Sequence, residues 1–149
     1  MNSRHRAREI ALQILYQYDL AQRLPVAKLD TRLVGELKNH YDHFQVPPEL
    51  RTFVGDLVAG SLGSVKELDA LLEKHTANWK VSRLSAIDRC ILRMAVYEML
   101  HFPEMPRAVI IDEAVELAKA FGSDDSSSFV NGVLDQVLAP EAEKANVES

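Results

Sequence analysis

The sequence predicts an all-α protein, a compact bundle of six to seven helices that can divide into two helical halves. Apolar residues recur at spacings of three and four along nearly the whole chain, which is the helical period. No segment alternates apolar and polar residues between turn signals, as a half-buried strand would. The sequence also lacks internal repeats and long linkers. We therefore expect one helical domain over residues 1–140, followed by a frayed tail over residues 141–149.

Six segments of helical length carry an apolar stripe, and they cover about residues 3–22, 28–44, 49–75, 85–102, 107–121 and 126–138. The first ends near Leu24 and Pro25, because proline has no amide hydrogen and disfavours helix in the residue before it. Pro47 and Pro48 end the second, and proline is favoured in the first turn of the third. Pro103 follows the fourth segment directly.

Glycines and a polar run predict the remaining helix limits. Gly60 and Gly63 each cost about 1 kcal/mol relative to alanine inside a helix, so we expect the third segment to be one long helix that bends there. Gly122 is a typical stop for the fifth segment. The polar residues 123–126 offer oxygens that can cap the sixth.

The composition is typical of a globular domain. The chain has 149 residues, of which 47% are hydrophobic and 26% are charged. No apolar run approaches the roughly 20 residues that a membrane-spanning helix needs, and the basic start does not resemble a signal peptide. We therefore expect a cytoplasmic protein with no membrane partner. The single cysteine, Cys90, excludes an intramolecular disulfide and a thiol-based metal cluster.

The residues that could support catalysis are better explained without it. Cys90 lies beside an apolar stripe, where a thiol behaves as a small hydrophobic group. His40 and His43 are one turn apart, but no HExxH motif or other ligand set completes a metal site, so we expect surface histidines. The acidic pairs 112–113 and 124–125 are expected to open the last two helices, where the helix dipole favours negative charge. We expect no catalytic site, no metal and no cofactor.

Charge is distributed unevenly along the chain. The formal net charge is −5, but Arg4, Arg6 and Arg8 give the first eight residues +3 and leave a net of −8 for the rest. A basic arm on an acidic body is a pattern that nucleic-acid-binding proteins use. Arginine near a helix amino terminus is slightly unfavourable for the dipole, so its presence calls for a reason, but charge alone predicts an ordinary solvated helix start equally well. The alternative is a helical protein-interaction adaptor whose arginines bind an acidic protein surface instead of RNA.

Three ordered blocks of sequence resemble the NusB family of bacterial transcription antitermination factors. The first block is RHRARE with ALQILY in residues 4–16, and the second is IDRCILRMAVYE in residues 87–98, preceded by NW and RL. The third contains AVIIDEAVELAK in residues 108–119, then FG and FVNGVLD. Residues 23–49 match the family poorly and are assigned from periodicity alone.

The resemblance implies an all-helical RNA-binding adaptor. Family members pair with NusE, a small-subunit ribosomal protein, and together they hold the boxA element of ribosomal RNA leaders as single-stranded RNA. The complex joins RNA polymerase and the other Nus factors, so that the elongating enzyme reads through terminators. The same module also opens a class of ribosomal RNA cytosine methyltransferases. We expect the free-standing factor, because no methyltransferase domain follows.

The resemblance also assigns candidate RNA-binding residues at the amino end. Arg4, Arg6 and Arg8 fall on the family's arginine-rich arm, where RNA phosphates are expected. His5 stands where some members have another arginine, so its contact would depend on pH, since imidazole titrates near neutrality. Tyr16 either stacks on a base or packs against the protein.

Further candidates lie around the last helix and on the central one. Phe129 resembles a family position at the RNA surface, although its place on the apolar stripe equally predicts burial. Asn131 could bind a base edge or cap a neighbouring loop. Asp125, if it borders RNA, opposes phosphate. Three charged residues of the central helix either contact NusE or form a solvated flank: Asp88, Arg89 and Glu98.

Overall fold

Seven α-helices make up most of the computed structural model, which describes residues 3–21, 31–74 and 80–137. The helices are α1 (Ser3–Leu20), α2 (Thr31–His43), α3 (Pro48–Gly63), α4 (Val65–Lys74), α5 (Ala86–His101), α6 (Arg107–Phe121) and α7 (Ser126–Gln136), with a short 3₁₀ helix at Val81–Arg83. The described ranges contain no strand, and the all-α prediction is confirmed. None of their helices is long and apolar enough to cross a membrane. The expected tail, residues 141–149, lies outside the described ranges.

The chain divides into two compact units, Met1–Lys66 and Glu67–Ser149. In the first unit, α1 and α2 both pack on α3. The buried residues of α1 follow the spacing of three and four that the sequence shows, which explains why this segment is helical and which side faces α3. They are Ala7, Ile10, Ala11, Ile14, Leu15 and Tyr18.

The end of α2 is set by a left-handed residue. Gln45 has a φ of 52°, and the N–H of Val46 donates to the carbonyl of Tyr41 at 2.9 Å. The N–H of Gln45 donates to the carbonyl of Asp42 at 3.3 Å, which completes the hydrogen-bond pattern of a Schellman motif. Glycine is the usual residue at this position, so Gln45 makes the turn at a steric cost.

The expected long helix over residues 49–75 is a wrong prediction, because the structure contains two helices. α3 ends at Gly63, Ser64 forms a turn with φ −119° and ψ 17°, and α4 starts at Val65. The N–H of Ser64 donates to the carbonyl of Ser61, which tightens the last turn of α3. Two weak helix formers near one point, Gly60 and Gly63, allow the chain to break there and not merely to bend.

In the second unit, α5, α6 and α7 pack on one another. α5 is the most buried of these helices, and Arg93 on it pairs with Asp69 of α4 through two hydrogen bonds of 2.7 and 2.8 Å. A bidentate pair of this kind fixes the geometry of two helices, because both donors and both acceptors must align. This arrangement ties α4 to α5 within the unit.

The two acidic pairs differ in whether they open a helix as expected. Asp112 and Glu113 lie well inside α6, because that helix already begins at Arg107 and has no acidic residue in its first turn. Asp125 is the N-cap residue of α7, yet its side chain makes no capping hydrogen bond. The prediction that Asp112 and Glu113 open a helix is therefore wrong, whereas Asp125 opens α7 as expected but without a capping hydrogen bond.

Candidate nucleic-acid interface

The first two turns of α1 place two arginines on one aromatic ring. Cζ of Arg4 lies 4.7 Å from the centroid of the Phe53 ring, and Cζ of Arg8 lies 5.4 Å from it. Residues four apart share a helix face, so both side chains can reach the same point on α3. The negative face of the ring attracts both guanidinium groups.

Arg6 and His5 follow a different arrangement on α1. Arg6 Nη1 lies 3.7 Å from Glu9 Oε2, and His5 Nε2 lies 3.1 Å from Glu9 Oε1, an ion pair when the imidazole is protonated. The Arg6 side chain is 44% exposed, and surface pairs of this kind contribute about 0–1 kcal/mol. A phosphate can therefore compete with Glu9 for Arg6 at little cost.

Burial divides the arm into accessible and inaccessible cations. Arg8 is only 2% exposed, whereas Arg4 is half-buried and Arg6 is exposed. The expectation that Arg8 contacts a phosphate at the surface does not agree with this placement. Tyr16 is half-buried further along α1, a position compatible with both stacking on a base and ordinary core contact.

The turn between α6 and α7 is closed by a short backbone approach. A Cβ atom added to Gly122 would lie 2.5 Å from Cβ and Oγ of Ser126 and 2.8 Å from the carbonyl oxygen of Ala118. Ser126 is buried, and its hydroxyl accepts a hydrogen bond from the N–H of Ser123 at 3.0 Å. The glycine that the sequence predicts as a helix stop therefore also sets the course of the chain into α7.

The other end of α7 is held by an arginine from α6. Nη2 of Arg107 donates to the carbonyl oxygens of Leu134 at 2.7 Å and Asp135 at 2.6 Å. The last carbonyls of a helix have no partner within the helix, and a cation is favoured there by the helix dipole. α7 is thus fixed at both ends relative to α6.

The candidate residues around α7 lie in the second unit and occupy different sides of the helix. Asp125 is exposed, and its backbone carbonyl accepts from the N–H of Phe129 at 3.1 Å and the hydroxyl of Ser128 at 3.2 Å. Phe129 is half-buried and Asn131 is exposed. Because residues two apart lie about 200° apart around a helix, the Phe129 ring and the Asn131 amide do not share a face.

Comparison with known proteins identifies the family to which the sequence is similar. The family model described as the NusB family matches residues 5–139. The chain belongs to the NusB family. The transcription antitermination protein NusB of Desulfatibacillum aliphaticivorans is 39% identical over 137 residues, which cover 92% of this chain and 90% of that protein. The NusB of Desulfotalea psychrophila is 45% identical, with 92% and 96% covered.

A solved structure shares the NusB fold as well. A chain from the crystal structure of antitermination factors NusB and NusE in complex with double-stranded RNA superposes with a TM-score of 0.75. Its sequence is 27% identical, and the match covers 91% of this chain and 95% of that chain. The resemblance identified from the three sequence blocks is thereby confirmed.

The candidate NusE-contact residues of this NusB-family chain lie on α5, and the sequence predicts the exposure of one of them wrongly. Asp88 is in the first turn, where its N–H donates to Oγ of the N-cap residue Ser85 at 3.3 Å. Arg89 is half-buried and donates from Nη1 to the carbonyl of Leu84 at 2.8 Å. Glu98 is 1% exposed, so its prediction as part of a solvated flank is wrong.

The sequence analysis did not identify Phe53, the ring that contacts Arg4 and Arg8 of the arm. The apolar period of the third segment includes this residue but gives it no role beyond the core. The available signal was the spacing of Arg4 and Arg8, which places two cations on one helix face, where a single aromatic ring can contact both. Nothing local identifies which residue of another helix supplies that partner.

His43 and Cys90 lie outside this interface. Across residues 3–21, 31–74 and 80–137, no group of three His, Cys, Asp or Glu side chains is placed to hold a metal ion. His43 packs edge-on against Phe44, with ring centroids 4.9 Å apart, and Cys90 is buried.

Proposed function

We propose that this protein is a transcription antitermination factor that binds boxA-type RNA of ribosomal RNA leaders together with NusE. It joins an RNA polymerase elongation complex in the cytoplasm and acts by binding, without a catalysed reaction. Its family relatives are transcription antitermination proteins, and a structural neighbour was solved with NusE and RNA.

The observation that carries this proposal is the arm of α1, where Arg4 and Arg6 present guanidinium groups at the surface of an otherwise acidic chain. Phosphate contacts set the position and affinity of a protein on RNA, whereas contacts with base edges supply sequence choice. Arg4 and Arg6 serve the first task in this proposal. The exposed amide of Asn131 serves the second, and the half-buried ring of Phe129, on a different face of α7, would stack on a separate base.

The charge balance limits how tightly such a protein binds. Each phosphate neutralised on a single strand contributes about −0.7 to the slope of log affinity against log salt. With Arg4 and Arg6 as the accessible cations of the arm, we expect a slope of about −1.4 and a modest affinity. The acidic remainder of the chain repels excess RNA, which favours short chosen elements over indiscriminate coating.

We assign the NusE contact to the start of α5, where Asp88 and Arg89 are half-buried and retain accessible surface. Glu98 is too buried to meet a partner directly and would act through the structure of α5. Charged pairs at the rim of an interface mainly change the association rate, so variants at these two positions should slow NusE association.

A competition titration tests the proposal. Labelled boxA RNA is titrated with the protein at several salt concentrations, with and without NusE, against scrambled RNA and against the same element as a duplex. We expect the single strand to bind more tightly than the scrambled RNA, and NusE to increase that difference. The duplex is included because the structurally similar complex of NusB and NusE contains double-stranded RNA.

The controls separate this proposal from its alternative. Lys38→Gln removes an exposed cation of α2 that lies outside the arm, so RNA affinity should not change. A salt slope near zero would contradict phosphate contact by the arm. Equal failure with boxA and scrambled RNA, together with intact NusE binding, would favour a helical protein-interaction adaptor without direct RNA binding.

A further inference from the structure

One ring holds two of the three cations of the arm. The Phe53 ring lies 4.7 Å from Cζ of Arg4 and 5.4 Å from Cζ of Arg8, and the residue is 8% exposed within the buried stripe of α3. A leucine could fill the same core position, but only an aromatic face attracts a guanidinium electrostatically. The contact therefore involves more than core filling.

The two arginines on this ring differ in what they can reach. Arg8 is 2% exposed, while Arg4 stands one turn nearer the helix start and is half-buried. An arginine that binds a phosphate from a freely rotating state loses much of its rotamer entropy. A guanidinium that is already stacked has lost part of that freedom before the RNA arrives.

We infer that Phe53 is a positioning residue for RNA, which orients Arg4 for phosphate contact while it keeps Arg8 in the interior as a fixed positive charge. The inference rests on the proposed RNA-binding function and adds to it a residue from a different helix. Arg4 then binds phosphate at a lower entropic cost, and Arg8 contributes positive potential without touching RNA.

Two changes at position 53 separate the electrostatics of the ring from its volume. Phe53→Leu removes the ring, and pentafluorophenylalanine keeps the ring shape but reverses the charge on its face. We expect either change to weaken binding of boxA RNA roughly threefold to tenfold, the range of a single cation–π contact. The salt slope should stay close to the native one, because Arg4 keeps its charge and only the entropic cost of its phosphate contact rises. Phe53→Tyr keeps the aromatic face and should retain native binding.

A double-mutant cycle identifies the arginine through which the ring acts. Arg4→Gln should weaken RNA binding less in the Phe53→Leu protein than in the native one, because the two residues belong to one contact. Val58→Ala is the matched control, since it removes buried volume from the same helix without removing a ring. It should lower the melting temperature and leave the affinity for boxA RNA unchanged.

The possible outcomes distinguish the positioning role of Phe53 from the proposed RNA-binding function. If Phe53→Leu binds RNA with the native affinity and salt slope, the positioning role alone is wrong. The same holds if the losses of RNA affinity caused by Phe53→Leu and Arg4→Gln are strictly additive. A native protein without salt-dependent RNA affinity would overturn the proposed function and the inference together. If Phe53→Leu fails to fold, the pentafluorophenylalanine protein decides the result, because it preserves the core volume.

Discussion

The arm of α1 and the turn between α6 and α7 hold their candidate RNA-binding groups in opposite ways. In the arm, long cationic side chains are oriented by other side chains, as Arg4 is by Phe53. At the turn, the backbone itself is fixed, because Gly122 closes directly on the buried Ser126. The difference fits two tasks: Coulomb attraction to a phosphate tolerates small displacements, whereas a hydrogen bond to a base edge requires a set direction.

The largest expected effect comes from breaking the rigid turn. Gly122→Ala places a methyl group 2.5 Å from Cβ and Oγ of the buried Ser126 and 2.8 Å from the backbone carbonyl oxygen of Ala118, so the backbone has to shift. Overpacking of this kind costs about 1–3 kcal/mol, so we expect that loss in the free energy of unfolding measured with urea. Discrimination between boxA and scrambled RNA should fall as well, because the start of α7 shifts.

A second glycine provides the matched control for that prediction. Gly132 lies in the interior of α7 with no atom within 4 Å of an added Cβ. Gly132→Ala should therefore stabilise the protein by about 1 kcal/mol through helix propensity alone. If Gly122→Ala proved as stable as the native protein, the close approach would not be what fixes the turn.

The next effect concerns the carboxyl end of α7. Arg107→Met keeps a long apolar stem but removes the donors to the carbonyls of Leu134 and Asp135. We expect a loss of about 1.5 kcal/mol, the low end for a hydrogen bond to a charged group. Hydrogen exchange should accelerate in the last turn of α7 while the amides of α1 are unaffected. Arg83→Met, at an exposed arginine of the same unit, should change neither quantity.

The two regions also differ in how far the sequence could predict them. Gly122 ends α6 as the sequence predicts, but its φ of −95° is open to any residue, and glycine is needed there because of the close approach to Ser126. The break at Ser64 does not follow from the sequence, because the same two glycines suit a bent helix or a broken one, and tertiary contacts decide between them. Arg4 and Arg8 are likewise equivalent in sequence. In the fold, Arg4 is half-buried near the start of α1 and Arg8, one turn further along, is only 2% exposed, although both contact the same Phe53 ring.

Comparing two arginines of the arm sharpens this distinction. Arg6→Gln removes an accessible cation, so the salt slope of RNA binding should become shallower by about 0.7 with little change in stability. Arg8→Gln removes a buried cation from the ring, so the free energy of unfolding should fall by about 1 kcal/mol. Paired measurements of urea unfolding and RNA titration check both. The reverse assignment of the two effects would show that Arg8 is the residue that contacts phosphate.

A smaller effect is expected at the start of α7. Asp125 is exposed and its side chain makes no capping hydrogen bond, so Asp125→Asn should leave stability unchanged. If this carboxylate borders RNA, removal of its charge should strengthen binding about twofold to fivefold at low salt, and less at high salt, because phosphate repulsion is screened. Asp135→Asn, at an exposed acid near the other end of the same helix, is the control. Weaker or unchanged RNA affinity in Asp125→Asn would place the RNA away from this turn.

The smallest expected effect is a difference between the two units in how their stability depends on pH. Burial lowers the pKa of His40 from its usual 6.5; Glu36 opposes this shift and His43 adds to it. A group whose pKa is lower in the folded state binds fewer protons there than in the unfolded chain, so its contribution to stability is present above about pH 6.5 and is lost as the pH falls through the folded-state value. Hydrogen exchange between pH 7 and pH 5 should therefore show earlier opening of α1 and α2 than of α6 and α7. His40→Gln should reduce that pH dependence. If His43→Gln reduced it equally, the pH dependence would come from the total charge of α2 and not from the burial of His40.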